Sequence, residues 1–143
     1  MMQEIDLMKN YPRSKRDIKQ RGAEKTKEDR RLAREFGKDF FDGDRKNGYG
    51  GFFYNSRFWQ PVISTFQEHF GLTKESSVLD VGCAKGFMLH DMVELIPGIN
   101  VKGIDISQYA IDNTIEDMKG HVQTGDAREL PFEDNSFDVV ISV

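Results

Sequence analysis

The stretch Val78-Leu79-Asp80-Val81-Gly82-Cys83-Ala84-Lys85-Gly86-Phe87-Met88-Leu89 does most to constrain what this chain can fold into. Val78, Leu79 and Val81 are strand-favouring apolar residues, and Ser76-Ser77 punctuate their start. Gly82, Ala84 and Gly86 are small enough for the backbone to swing tightly out of that strand. Phe87, Met88, Leu89, Met92, Val93 and Ile96 then recur at helical spacing. Strand, small-residue turn and helix N-terminus together make a place where backbone N–H groups can face a ligand. An ordinary βα connection, with glycines for shape alone, carries the same pattern, so neighbouring segments must decide between the two.

Downstream, strands and helices alternate. The helix from Gly86 to Ile96 is closed by Pro97-Gly98, and a second strand runs from Asn100 to Ile104 with Asp105 at its end. Ser107 caps a third helix, which the spacing of Tyr109, Ile111, Ile115 and Met118 carries to Gly120. His121–Thr124 reads as a third short strand meeting Gly125-Asp126. After a loop through Leu130-Pro131-Phe132 and Glu133–Ser136, Phe137–Val143 reads as a fourth strand largely buried on both faces. The alternation predicts a Rossmann-like α/β fold, a parallel sheet with right-handed crossovers. Such sheets bind ligands beyond the carboxyl ends of their strands, where Gly82, Asp105 and Gly125-Asp126 all fall. A carboxylate at Asp105 can accept hydrogen bonds from both hydroxyls of a ribose. The plainer role is an acid at a helix N-terminus, worth about 0.3–1 kcal/mol.

Upstream the chain is different in kind. Its net charge of −4 hides an asymmetry, because residues 1–46 hold 14 Lys/Arg against 10 Asp/Glu, and residues 47–143 hold 6 against 14. Acidic residues interleaved through the basic part weaken a nucleic-acid reading, and residues 1–25 are expected to be a flexible charged arm. Residues 26–75 are expected to flank or cover the sheet. Thr26-Lys27-Glu28-Asp29 resembles a capping box with Asp in place of Glu, starting a helix that Gly37 ends. Residues 40–59 are rich in both glycine and aromatics, too apolar for a free linker, so their rings either cover a flat or cationic ligand or plug one end of the core. A helix is expected to open near Gln60-Pro61 and to stop at Gly71.

With 143 residues the chain suffices for one domain of ordinary size. One cysteine, Cys83, excludes an internal disulfide and a Cys-based zinc cluster, and no metal site is expected. No apolar run reaches the roughly 20 residues that span a bilayer, and the first residues lack a signal peptide's pattern, so a cytoplasmic location is expected.

Two cofactor classes compete for the strand-end geometry. A dinucleotide needs G-x-G-x-x-G, and here Phe87 stands at the third glycine, which argues against a nicotinamide-dependent oxidoreductase. The pattern present is G-x-A-x-G. Val78–Gly86, Gly103-Ile104-Asp105-Ile106-Ser107, Gly125-Asp126-Ala127 with Leu130-Pro131-Phe132, and Asn135–Val140 together resemble the ordered motifs of class I S-adenosylmethionine-dependent methyltransferases. That resemblance covers about residues 76–143 and implies an S-adenosylmethionine-binding domain that stops after its fourth strand.

The resemblance also implies cofactor-contacting positions at Asp80, Gly82, Cys83, Ala84, Gly86, Asp105, Ile106, Asp126 and Ala127, with Asp126 meeting the adenine amino group. Tyr49 and Arg57 are candidates for the methionine end, since a guanidinium suits a carboxylate. Ala84 departs from the family by placing a methyl where the backbone approaches the cofactor. The implied activity is methyl transfer to a small-molecule acceptor, without nucleic acid or membrane as partner. The alternative is a cofactor-binding or interaction module that lacks an acceptor site. No general base is evident, since His69, His90 and His121 all read as structural. An exposed fourth strand is expected to promote self-association.

Overall fold

The computed structural model describes residues 2–13 and 18–143. Four strands, β1 (Ser77–Val81), β2 (Asn100–Asp105), β3 (Val122–Thr124) and β4 (Val139–Ile141), form one sheet in the order β3-β2-β1-β4. Every neighbouring pair is parallel, with Val78 opposite both Val101 and Val139, and Ile104 opposite Gln123. The architecture is therefore Rossmann-like α/β. Consecutive residues Val78 and Leu79 point to opposite faces of β1 and both are buried, as a central parallel strand requires.

Among the described residues six α-helices accompany the sheet: α1 (Ile18–Glu24), α2 (Lys27–Arg34), α3 (Lys38–Asp42), α4 (Ser56–Phe70), α5 (Phe87–Leu95) and α6 (Gln108–Asp112). The core is the contact of α4 and α5 with the sheet, where Val62, Ile63 and Phe66 meet Leu89, Met92, Val78 and Val101. Full burial of an aliphatic side chain of this size contributes about 1.5–3 kcal/mol, so this cluster dominates the stabilising side.

Local chemistry sets several boundaries. Thr26 and Asp29 form the reciprocal capping box of α2, with the Asp29 N–H donating to Thr26 Oγ1 at 3.0 Å and the Thr26 N–H to Asp29 Oδ2 at 2.9 Å. The helix expected near Gln60-Pro61 opens a turn earlier, because Asn55 Oδ1 accepts the Arg57 N–H at 3.0 Å and caps α4 there. Pro61 then lies inside the helix. Gly71 ends α4 in the left-handed region, at φ 66°. The third predicted helix is broken: α6 stops at Asp112, and a separate 3-10 turn spans Glu116–Met118. A tertiary bond diverts the chain there, the Ile115 N–H donating to the Lys85 carbonyl at 2.9 Å.

Two expectations do not survive. Part of the predicted flexible arm is docked, since Leu7, Met8 and Tyr11 pack against the core and Tyr11 meets Trp59 edge-on at 5.1 Å between ring centroids. Spaced apolar residues among charges hid that contact. β4 is shorter than predicted and not buried on both faces: Ile141 is buried, but Val140 is 57% exposed beside an open cavity. An edge strand is covered only where another element reaches it. Among the described residues, no helix is long and apolar enough to cross a membrane.

Candidate functional site

A cavity of about 380 Å³ lies where β1, β2 and β3 end. Its floor is the turn after β1. Gly82 and Cys83 both donate their N–H groups to the Ile104 carbonyl, at 2.7 and 3.1 Å, which pins the turn to β2. Gly82 has φ 89°, and a Cβ there would meet no protein atom within 4 Å, so its missing side chain leaves cavity space open. Ala84 also adopts a left-handed conformation, φ 50°, which costs a residue with a Cβ roughly 1–2 kcal/mol. Gly86 caps α5 at φ 82°, but a Cβ there would face Met118 and Thr114, and Gly86 is absent from the cavity wall.

Asp105 ties the floor to the next element. Its Oδ2 accepts the Ala84 N–H and its Oδ1 the Ser107 N–H, both at 2.8 Å, while Ser107 caps α6. Each oxygen retains a second lone pair for a ligand hydroxyl. Ile106, Asp126 and Ala127 line the same cavity. Gly125 lies close against Ile104, since a Cβ would fall 2.3 Å from Ile104 Cδ1 and the Ile104 side chain would have to shift. Asp126 is not free: Arg128 donates to its carboxylate at 2.6 Å, and that hydrogen bond holds the acid down at about 2. Phe36, Phe40, Phe41 and Tyr49 form the opposite wall, so part of the aromatic segment covers the strand ends.

A second cavity, of about 220 Å³, shares Tyr49, Gly82 and Ala84 with the first and is lined by Asp80, Cys83 and Phe87. Burial, with the neighbouring Asp105 charge, pushes the Asp80 carboxyl up to about 7. Burial and the same two acids push the Cys83 thiol up, so sulfur here is a neutral wall rather than a nucleophile.

The segment over these cavities is held by an ion pair that sequence reading missed. Lys85 Nζ donates to Asp42 Oδ2 at 2.7 Å, to Oδ1 at 2.9 Å and to the Phe52 carbonyl at 2.8 Å. Asp42 also accepts the Phe52 N–H at 2.9 Å and the Tyr109 hydroxyl. Burial raises the Asp42 carboxyl, but the bonds from Lys85, Tyr109 and Phe52 outweigh it and leave the acid below its ordinary value. No spacing rule links residue 42 to residue 85. A second buried acid, Asp91, accepts from Tyr54 and Gln60 through Oδ1 while its Oδ2 has no partner, and burial raises its carboxyl.

A third cavity, of about 340 Å³, opens on the outer side of the second and shares Tyr49, Phe52, Trp59 and Phe87 with it. Arg57, a candidate for the methionine end, lines this cavity, its guanidinium 4.8 Å from the Phe58 ring centroid. Tyr49 lines all three cavities. Of the histidines, His90 Nδ1 lies 2.6 Å from Asp117 Oδ2 and outside all three walls. With Glu94 these residues bring ligand-type atoms within 4.8 Å of one another.

Residues 78–143 match a family described as a methyltransferase domain. An uncharacterised protein of Haemophilus influenzae is 30% identical over 79 residues, which is 50% of this chain and 31% of that protein. The sterol 24-C-methyltransferase of Gibberella zeae is 33% identical over 81 residues, 51% of this chain and 21% of that enzyme. The chain thus spans about a fifth to a third of these relatives' lengths. Among solved structures, a candidate S-adenosyl-L-methionine-dependent methyltransferase of Methanococcus maripaludis aligns with a TM-score of 0.52 at 19% identity, over 59% of this chain and 41% of its own. A candidate sarcosine dimethylglycine methyltransferase of Galdieria sulphuraria aligns at 0.51 and 21% identity, over 58% and 33%. At these identities the two structures speak for the fold.

Proposed function

Because residues 78–143 match a methyltransferase-domain family, we propose that this chain is part of a class I S-adenosylmethionine-dependent methyltransferase, holds S-adenosylmethionine across its first two cavities and serves methyl transfer to a small molecule. The observation that carries the reading is Asp105, whose two oxygens hold the glycine turn and the start of α6 while facing the larger cavity. The donor set fits the cofactor. Open space at Gly82 admits a ligand against the backbone, Asp105 suits ribose hydroxyls, and the Phe36, Phe40 and Tyr49 rings suit a flat base.

Asp126, Ala127 and Ile106 would flank the nucleoside. Asp80 and Cys83 would flank the amino-acid end, where a ligand ammonium would draw the raised Asp80 carboxyl back toward its charged form. Ala84 costs backbone strain but leaves its N–H engaged on Asp105, so its methyl narrows the cradle without removing a donor. When bound, the sulfonium supplies an electrophilic methyl group. The chain's own contribution is to orient and to exclude water: the Asp42–Lys85 pair keeps the aromatic segment closed over the strand ends.

Titration calorimetry with S-adenosylmethionine and with NAD tests this directly. S-adenosylmethionine is expected to bind, and Asp105→Asn to weaken it about tenfold through loss of a charge-assisted hydrogen bond. Tight binding of NAD with none of S-adenosylmethionine would sink the reading.

A further inference from the structure

The third cavity has a composition unlike the other two. Arg13, Arg45 and Arg57 line it together with several aromatic rings, and among the described residues no Asp or Glu lines it. Arg13 has a long ion pair to Asp6 at 3.6 Å, and both side chains are mostly exposed. Among the described residues, Arg45 and Arg57 have no carboxylate partner: Arg45 Nη1 donates to the Tyr49 carbonyl at 2.9 Å, and Arg57 lies over Phe58. Arg45 and Arg57 thus bring positive charge that no carboxylate among the described residues neutralises, in a chain whose net charge is −4. Guanidinium forks match planar oxyanions bidentately, and aromatic faces favour a flat apolar body.

Position adds to composition. The second cavity lies between the first and the third, sharing Gly82 and Ala84 with one and Phe52, Trp59 and Phe87 with the other. A molecule in the third cavity would therefore adjoin a ligand held across the first two.

We propose that this cavity is the acceptor subsite, and that the acceptor is a flat, ring-bearing small molecule carrying an oxyanion that Arg57 and Arg45 receive. The assignment rests on the methyltransferase reading for the word acceptor, but the anion preference stands on the cavity itself. The expected roles divide cleanly: the rings around Trp59 hold the body, and the arginines fix which end points outward.

Trp59 is the single tryptophan of the chain and lines the cavity, so its emission reports on this site. With the 143-residue chain saturated in S-adenosylmethionine, 4-hydroxybenzoate is expected to quench Trp59 saturably and at least tenfold more tightly than the neutral 4-hydroxybenzamide. Arg57→Gln is expected to weaken 4-hydroxybenzoate about tenfold while the amide is unaffected. Phenyl phosphate run in parallel distinguishes a phosphate-bearing from a carboxylate-bearing acceptor. Equal affinity for the amide and the acid, or no saturable quench by either anion, overturns the proposal. So does a loss of S-adenosylmethionine affinity in Arg57→Gln, which would return Arg57 to the cofactor. If S-adenosylmethionine itself fails to bind, the methyltransferase reading falls, and the anion preference is then measured on the free chain by the same quench.

Discussion

Asp80 sits at the end of β1, 5% exposed, with another acid nearby, and its carboxyl is raised to about 7. Desolvation penalises its charged form, and the Asp105 charge adds to the penalty. The consequence for stability has a definite sign. Folded Asp80 binds its proton up to about pH 7, whereas the unfolded residue loses it near its ordinary value of 3.8. Its favourable contribution is thus full below about pH 4 and is lost as pH rises to about 7, at up to ~1.4 kcal/mol per pH unit. Urea unfolding of the chain and of Asp80→Asn across pH 4–8 is expected to show the parent losing stability relative to the variant over that window. Parallel profiles would show that Asp80 is solvated after all.

At the residue scale the motif was readable because its chemistry is local. Gly82, Asp105 and Gly125 are forced by a turn, a strand end and a close approach, each of which leaves a mark in sequence. Ala84 was legible as a departure, but its positive φ was not, since the conformation depends on the bond its N–H makes to Asp105.

At the element scale, the covering segment depends on one buried ion pair. Lys85 and Asp42 are both largely buried, and removing one partner of such a pair costs about 3–5 kcal/mol when the other cannot escape to water. Here Asp42 is expected to escape to water, with α3 and the residues up to Phe52 moving outward. Lys85→Met is therefore expected to open the segment rather than unfold the sheet. Amide exchange at Phe41 and at Gly51–Phe52 should quicken at least tenfold, with β1 and β2 unchanged. Uniform protection in the variant would mean that the rings alone hold the segment down. Replacing both partners, Asp42→Leu with Lys85→Met, is expected to restore part of the protection. Sequence reading identified an aromatic covering segment but not its latch, since a pair 43 positions apart follows no periodicity. It also misplaced the start of α4, because an Asn55 cap outweighed the common preference for proline in the first turn.

Across the whole molecule, the sheet ends at β4 on one side. That strand pairs with β1 along one edge, and Val140 and Val143 remain 57% and 70% exposed. An apolar edge of this kind is a template for pairing with another chain. Sedimentation velocity at rising concentration is expected to show self-association of the 143-residue chain, reduced by Val140→Lys. A single monomeric species at all concentrations would count against it.

The sequence alone determined the order of strands and helices, the turn after β1, and the acids that stand at the strand ends, because hydrophobic period and glycine chemistry act over a few residues. It also carried the resemblance to a methyltransferase domain over residues 78–143, since those local features recur in a fixed order. Tertiary structure decided what lies far apart in the chain: Asp42 on Lys85, Tyr11 on Trp59, the break in α6 made by the bond from Ile115 to Lys85, and the division of the space above the sheet into three adjoining cavities. Those contacts depend on three-dimensional proximity after collapse, which separation along the chain does not encode. Arg57 shows the difference most plainly. Its chemistry, a fork for an oxyanion, was readable from the residue; which cavity receives that fork was decided by the packing of α4.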